Sequence, residues 1–409
     1  MSDRTILYIS PQIPYPLDVG IRIRIFNLLS AYARLGKVRL VFFYRKEEEL
    51  AGMEALKPYC DSFHPVSCRT RYEERFFMHP PWRRRLEQAV TRMPLNLRLL
   101  FSAEMQRIVE DLAPSADIVH VSRLQLAPYI EPLVNKGPTR RRFVLDLDDL
   151  ETVIKRRELK LHPPGGWKRN AWDYLDLLRL WFYQRKALRL FDRVFVCSEK
   201  DRVRLGQGRN VVVVPNGANV PEAIVPDESD GRTLLYLGTL SYPPNRDGLF
   251  FFLNEIFPRI RKEVAGARLL IVGKSPPAEI AGLHDGKTIW VEGNVPSVET
   301  YYRQSTVSIV PLRMGGGTRL KILEAFAMGR PVVSTSVGCE GLRVANGEQL
   351  LISDDPIAFA ASCVDLLKNP LLREGLVLRA RKLVERDYTW KAVQALVENR
   401  SRELLEKGP

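Results

Sequence analysis

The chain has 409 residues, 45% hydrophobic and 27% charged, with a formal net charge of +14. That length accommodates two domains of ordinary size with cores of their own, and no apolar run approaches the ~20 residues of a membrane span. The five cysteines, Cys60, Cys68, Cys197, Cys339 and Cys363, are odd in number and lack metal-ligand spacing, as expected of reduced thiols in a cytosolic protein.

The charge is unevenly spread. Residues 1–216 hold 38 Lys and Arg against 25 Asp and Glu, and the remainder holds 24 against 23. A basic half implies nucleic acid, an anionic membrane surface or an anionic substrate. No RNA-binding aromatic motif or recognition helix accompanies it, so no nucleic-acid partner is expected. The start, MSDRTILYISPQIP, lacks the basic stretch and long apolar segment of a secretory signal. The expectation is a cytoplasmic chain, peripheral on the inner face of the plasma membrane.

Residues 6–10 read as a first strand, running into the proline-rich loop PQIPYPLDVG that ends at Gly20. A helix follows, with Ile21, Ile25, Leu28, Leu29 and Tyr32 at helical spacing and Gly36 as its stop. Residues 38–44 (VRLVFFY) complete a strand–loop–helix–strand unit. Gly20 thus falls at the C-terminal end of a parallel strand, where open α/β sheets bind ligands; the plain alternative is a glycine that merely starts a helix. Residues 69–101 mix cations with aromatics, among them Arg75, Phe76, Phe77, Trp82 and Arg83. They read either as a membrane-interface surface or as a helical hairpin covering the sheet.

Short strands at 117–121 (DIVHV) and 143–147 (FVLDL) come next. Asp146, Asp148, Asp149 and Glu151 gather at the end of the second, a crowding of carboxylates that is costly unless it serves a purpose. A helix N-cap, or pairing with Arg156 or Arg157, is the plain alternative. A helix at 167–190 and strands at 194–197 and 211–214 lead to the turn PNG at 215–217 and a loop rich in Pro, Glu and Asp. The second half repeats the alternation, with strands at 233–237, 268–272 and 288–291, a helix at 245–257, and final helices at 355–368, 371–386 and 388–406. The expected division is a first domain over 1–217, a second over 218–386, and a segment 387–409 that crosses back to the first. Both domains read as α/β with doubly wound parallel sheets.

The most informative stretch is PLRMGGGTRLKILEAFAMGRPVVSTSVGCEGL, from Pro311 to Leu342. A β-branched strand ends at Pro311. Gly315, Gly316 and Gly317 precede a helix from about Thr318 to Met328, and a second strand closes the unit. A helix start behind glycines offers unpaired N–H groups and a positive dipole end. Arg319 and Lys321 in its first turn oppose that dipole, and a bound anion would explain them. Glu324 shares the face of Lys321. A diphosphate carrying a ribose is the simplest ligand with this pattern; a glycine turn with surface cations is the bland one.

These motifs together resemble the GT-B glycosyltransferases, and in detail glycosyltransferase family 4, over nearly the whole chain. The matching residues are the loop through Gly20, DIVHV at 117–121, FDRVFVCSE at 191–199, VPNG at 214–217, YLGTL at 236–240, IVGK at 271–274 and the run from Gly315 to Thr335. The DLDD run and the Trp-rich helix are similar to a polysaccharide-assembly subgroup. The resemblance implies two Rossmann-like domains facing a central cleft and retaining transfer of a sugar from a nucleotide diphosphate sugar. The implied acceptor is lipid-linked or a saccharide, in cell-surface or exopolysaccharide biosynthesis. It implies that Arg319 and Lys321 neutralise the leaving diphosphate and that Glu324 holds the ribose. Gly315, Gly316, Gly317 and Thr318 approach the donor through backbone N–H groups, Gly20 comes near the β-phosphate, and Val295 binds the base. Gly238, Thr239 and Lys274 line the donor cleft. No metal and no cofactor is expected, since two cations and a helix end stabilise the departing charge.

Two departures stand out. Relatives often have a carboxylate where Gly316 stands, which opens the reading of a non-catalytic sugar-nucleotide-binding subunit. Many also carry an acceptor-facing histidine. Here His120 is either that group or a core histidine, and Asp148 or Asp149 is the substitute that would orient the acceptor hydroxyl.

Overall fold

The computed structural model describes residues 4–68, 91, 93–134, 141–161, 167–206 and 208–406, without the side chains of 167–170. The chain divides into two compact units, Met1–Val214 with Gln394–Pro409, and Pro215–Val393. Most of the basic and aromatic segment within 69–101 lies outside the described residues.

The first unit is built on seven parallel strands: β1 (Thr5–Ser10), β2 (Lys37–Tyr44), β3 (Ser62–Ser67), β4 (Ile118–Ser122), β5 (Arg142–Leu147), β6 (Arg193–Val196) and β7 (Val211–Val213). Their order across the sheet is β3-β2-β1-β4-β5-β6-β7. Leu7, Ile9, Val41, Val119, Val121 and Leu145 are buried on one face, as alternation along buried parallel strands requires. Helix α1 (Gly20–Ala33) follows β1. It ends at Ala33, so Gly36 does not terminate it. Glycine is needed at 36 because a Cβ there would lie 2.2 Å from the Arg4 carbonyl oxygen. Helices α2 (Glu151–Leu161) and α3 (Trp167–Leu190) form a pair after β5.

The second unit has six parallel strands: β8 (Thr233–Leu237), β9 (Arg268–Gly273), β10 (Ile289–Gly293), β11 (Val307–Val310), β12 (Val332–Ser334) and β13 (Leu351–Ile352), in the order β10-β9-β8-β11-β12-β13. Along β8, Leu234 and Tyr236 enter one core with Leu249 and Phe252, and Leu235 enters the other with Ile322 and Phe326. The sheet is therefore covered on both faces. Helix α4 (Pro243–Phe251) does not stop near Phe257 as the sequence suggested. It passes through a wide turn at Phe252–Ile256 and continues as Phe257–Glu263. Pro258, which has no N–H to give the preceding turn, accounts for the irregularity.

Helix α5 (Leu320–Ala327) follows β11. Helix α6 (Pro356–Lys368) starts on Asp355, whose carboxylate accepts from the amides of Ile357 and Ala358 at 3.0 and 2.9 Å. Helix α7 (Pro370–Asp387) and the C-terminal α8 (Trp390–Glu406) complete the chain. Gln394 and Glu398 of α8 bond Asn27 of α1 and Arg34 just after it, both at 2.8 Å. In each sheet the strand order reverses once, between β1 and β4 and between β8 and β11. Ligands of doubly wound sheets bind beyond the carboxyl ends of the strands at such reversals.

Candidate active site

In the second unit four strand ends converge. β8 runs into Gly238 and Thr239, β9 into Lys274, β10 into Asn294 and Val295, and β11 into the glycine run. Gly273 and Gly238 touch through their backbones, and a Cβ on Gly273 would fall 1.7 Å from the Gly238 carbonyl oxygen. The Lys274 carbonyl accepts from the Leu240 amide at 2.9 Å, and the Asn294 amide donates to the Gly273 carbonyl at 3.0 Å. Asn294 has φ +57, which turns the chain sharply before Val295, a half-buried residue. These contacts hold Gly238, Thr239, Lys274 and Val295 on one edge.

Gly315 and Gly317 have φ +128 and +63, conformations that glycine alone adopts cheaply. They deliver the chain to α5. Arg319 precedes that helix by one residue rather than sitting inside it, and Lys321 is its second residue. No side chain caps the helix, and its first turn holds no acid. Arg319 Nη1 donates to the Gly316 carbonyl. Its Nε and Nη2, and the hydroxyl of the buried Thr318, have no partner among the described residues. Buried donors left so are costly, and an anion with several acceptor oxygens would satisfy them.

Lys321 Nζ donates to Asn245 Oδ1 at 3.0 Å and lies 5.2 Å from the Tyr236 ring centre. Asn245 Nδ2 donates to the Thr239 carbonyl at 2.9 Å. A carbonyl can only accept, so the Asn245 oxygen is the atom left for the ammonium. A Cβ on Gly238 would lie 2.8 Å from both Lys321 Nζ and Asn245 Nδ2. Burial, then the Arg319 charge, depresses Lys321 to about 7, with Glu324 partly opposing. Burial raises the Glu324 carboxyl and Lys321 offsets part of that. Asn245 was missed in the sequence, where it read as a helix start. The Pro243–Pro244 pair just before it is the signal that the helix begins two residues earlier, putting Asn245 inside it.

In the first unit, Gly20 is the first residue of α1 and is exposed, at the carboxyl end of the sheet next to the strand reversal. Two arginines from elsewhere in the first unit, Arg24 and Arg123, engage the acidic run at the end of β5. Asp146 takes a bidentate bond from buried Arg24 at 2.8 and 2.5 Å, and Arg24 also donates to the Val214 carbonyl at 3.1 Å. Burial opposes the Arg24 charge, but Asp146 outweighs it and keeps the guanidinium protonated. Arg123, at φ +76 on the end of β4, donates to Asp148 at 2.8 Å and lies 3.8 Å from Asp149. A non-glycine residue in that conformation is strained, and such strain gathers at functional sites. Glu151 accepts from Asn96. Burial raises it to about 7, opposed by Arg123 and Asn96 and reinforced by Asp148 and Asp149.

His120 is fully buried, stacked on Tyr8 at 4.4 Å, with Nδ1 3.0 Å from the Tyr32 hydroxyl. Burial, with Arg24 adding, lowers it to about 3. These are the surroundings of a neutral core imidazole. Among the described residues no group of three or more His, Cys, Asp and Glu could hold a metal ion, and no helix is long and apolar enough to cross a membrane.

Residues 231–369 match the family model described as glycosyl transferases group 1. The chain is 23% identical, over 95% of its length and 97% of the relative's, to an uncharacterized 44.6 kDa protein in the cps region of Klebsiella pneumoniae. It is 29% identical to a phosphatidyl-myo-inositol mannosyltransferase of Mycolicibacterium smegmatis over 46% of this chain and 51% of that one. Among solved structures it is similar to sucrose-phosphate synthase of Thermosynechococcus elongatus, with a TM-score of 0.70 at 18% identity, covering 98% of this chain and 99% of that one. It is also similar to HepE of Anabaena in complex with UDP-glucose, with a TM-score of 0.65 at 13% identity, covering 98% and 99%. The structural likeness shows a GT-B fold.

Proposed function

From the premise that this chain is a GT-B glycosyltransferase with a group 1 glycosyl transferase domain at residues 231–369, we propose a narrower activity. It is retaining, metal-independent transfer of a sugar from a nucleoside diphosphate sugar to a lipid-linked or saccharide acceptor, in cell-surface or exopolysaccharide biosynthesis. The observation that carries this reading is the set of unsatisfied donors at the uncapped start of α5: the Thr318 hydroxyl, Arg319 Nε and Nη2. Lys321, whose ammonium donates to the neutral amide of Asn245 and makes no ion pair among the described residues, adds a cation. When the anomeric C–O bond breaks, the electron pair and negative charge go to the β-phosphate oxygen, and these groups stabilise it there.

In this reading Glu324 takes the ribose hydroxyls, Gly238, Thr239 and Lys274 flank the diphosphate, and Val295 receives the base. Asp148 and Asp149, steadied by Arg123, orient the acceptor hydroxyl. HepE, crystallised with UDP-glucose, supports the donor class. The cps-region relative and the mannosyltransferase, whose name specifies a phosphatidylinositol acceptor, support a glycolipid or polysaccharide product. An anionic membrane surface would present such an acceptor to the basic first unit.

The test is thermal stabilisation by a panel of UDP-, GDP-, ADP- and dTDP-sugars, followed by a transfer assay. A bound donor at about 100 times its Kd adds about 2.7 kcal/mol, and Lys321→Ala removes both binding and transfer. If no member of the panel stabilises the protein, the donor assignment is wrong. Gly316, which offers no carboxylate to the sugar ring, favours a second reading as a non-catalytic donor-binding subunit. Stabilisation without transfer or donor hydrolysis would decide for it.

A further inference from the structure

Helix α3 turns Leu180, Tyr183, Gln184 and Ala187 into the core of the first unit. Its opposite face should be polar. Instead it carries Tyr174, Leu178, Trp181 and Phe182, which are 54%, 50%, 37% and 60% exposed. Their spacing of three and four residues makes one continuous stripe. Arg185 and Arg189 extend it, so that from Tyr174 it runs about 22 Å along the helix. Trp181 and Phe182 meet edge to face at 4.9 Å, and the Arg185 guanidinium lies 4.0 Å over the Trp181 ring. A single exposed apolar side chain needs no explanation, but a row of four large ones does.

The surroundings of the stripe are basic. Residues 151–190 contain ten Lys and Arg against four Asp and Glu. Arg156 and Lys160 are exposed on α2, which is tied to α3 by the bond from Thr152 to Gln184 at 3.2 Å. The acids of α3 are engaged: Asp176 accepts from the Leu95 amide at 3.2 Å, and Asp173 lies 4.0 Å from Lys155. A second copy of so basic a surface would repel the first.

We infer that this face of α3 is a docking surface for an anionic lipid bilayer. Phe182 and Leu178 enter the acyl boundary, Tyr174 and Trp181 sit at headgroup level, and Arg185 and Arg189 reach the lipid phosphates. Helix α2 begins at Glu151, directly after Asp148 and Asp149, so docking here brings a lipid-linked acceptor to that strand end. Delivery of the acceptor rests on the proposed function; the docking surface itself stands on the exposed face of α3.

The experiment is flotation of the full chain with vesicles of phosphatidylcholine alone and with about one third phosphatidylglycerol. The wild type floats with the anionic vesicles only, less so in high salt. Leu178→Ser with Phe182→Ser lowers the partition coefficient about tenfold, and Arg185→Glu with Arg189→Glu lowers it similarly. Helical circular dichroism and stabilisation by nucleoside diphosphates stay unchanged in both variants. The inference is overturned if the wild type ignores anionic vesicles or if the variants float as it does. It is equally overturned if the stripe proves to hold a dimer that the substitutions dissociate, or to bind homopolymeric RNA in preference to lipid. Failure of every donor to stabilise the protein, with flotation intact, would instead count against the transferase site alone.

Discussion

The ammonium of Lys321 is held by the side-chain oxygen of Asn245 at 3.0 Å rather than by the carboxylate three residues away at Glu324. A neutral partner positions the cation without cancelling its charge. Asn245→Ala should therefore weaken nucleoside diphosphate binding by releasing Lys321. Asn245→Asp should weaken it more, by about tenfold or beyond, because it sets an anion beside the diphosphate. Calorimetric titration of both variants checks the order; equal affinities would show that Asn245 has no part in presenting Lys321.

Protonation of Lys321 is coupled to the same site. Burial and Arg319 bring it to about 7, whereas a bound diphosphate favours the ammonium. Above about pH 7 binding must then take up a proton. The Kd should rise by up to about tenfold per pH unit until the pH reaches the higher pKa of the complex, and be flat below. Lys321→Gln should remove the slope.

The same depression bears on stability. An unfolded lysine keeps its proton to about pH 10.4, so the folded state carries a penalty that is full below about pH 7 and fades as pH rises between those values. Lys321→Met should raise the melting temperature by about 2–4 °C near pH 6 and by less near pH 9. A melting temperature that falls at both would contradict the buried-charge account.

Gly273 and Gly238 should separate fold from function. Alanine at Gly273 would drive a Cβ to 1.7 Å from a backbone oxygen, which forces the two strand ends apart and costs about 1–3 kcal/mol or more. Alanine at Gly238 meets the side-chain ends of Lys321 and Asn245 instead of backbone. It should unfold the protein little and still abolish donor stabilisation. Denaturation midpoints and thermal shifts together distinguish the two.

In the first unit, Arg24→Ala strands the buried Asp146 carboxylate and the Val214 carbonyl. It should cost about 3–5 kcal/mol. Arg123→Ala, at a quarter-exposed side chain, should cost about 1 kcal/mol while reducing acceptor use. Urea denaturation with a transfer assay tests the contrast.

The alternation of β-branched runs with helical spacing made the strands and the double winding readable in the chain, because those periods are properties of neighbouring residues. The glycines at 315–317 with Arg319, Lys321 and Glu324 were readable for the same reason. Their geometry is decided within one strand end and one helical turn. The partners of the acidic run were not readable. Arg156 and Arg157 are near in sequence, yet Asp146 is paired with a residue 122 positions away, since strand order across the sheet, not proximity along the chain, brings Arg24 beneath it. Nor could sequence show that Asn245 meets Lys321 across 76 residues, that His120 is sealed between Tyr8 and Tyr32, or that the aromatic face of α3 looks outward. Local periodicity determines which residues share a face. Only packing decides what that face meets, because burial and pairing are settled by contacts between segments far apart in sequence.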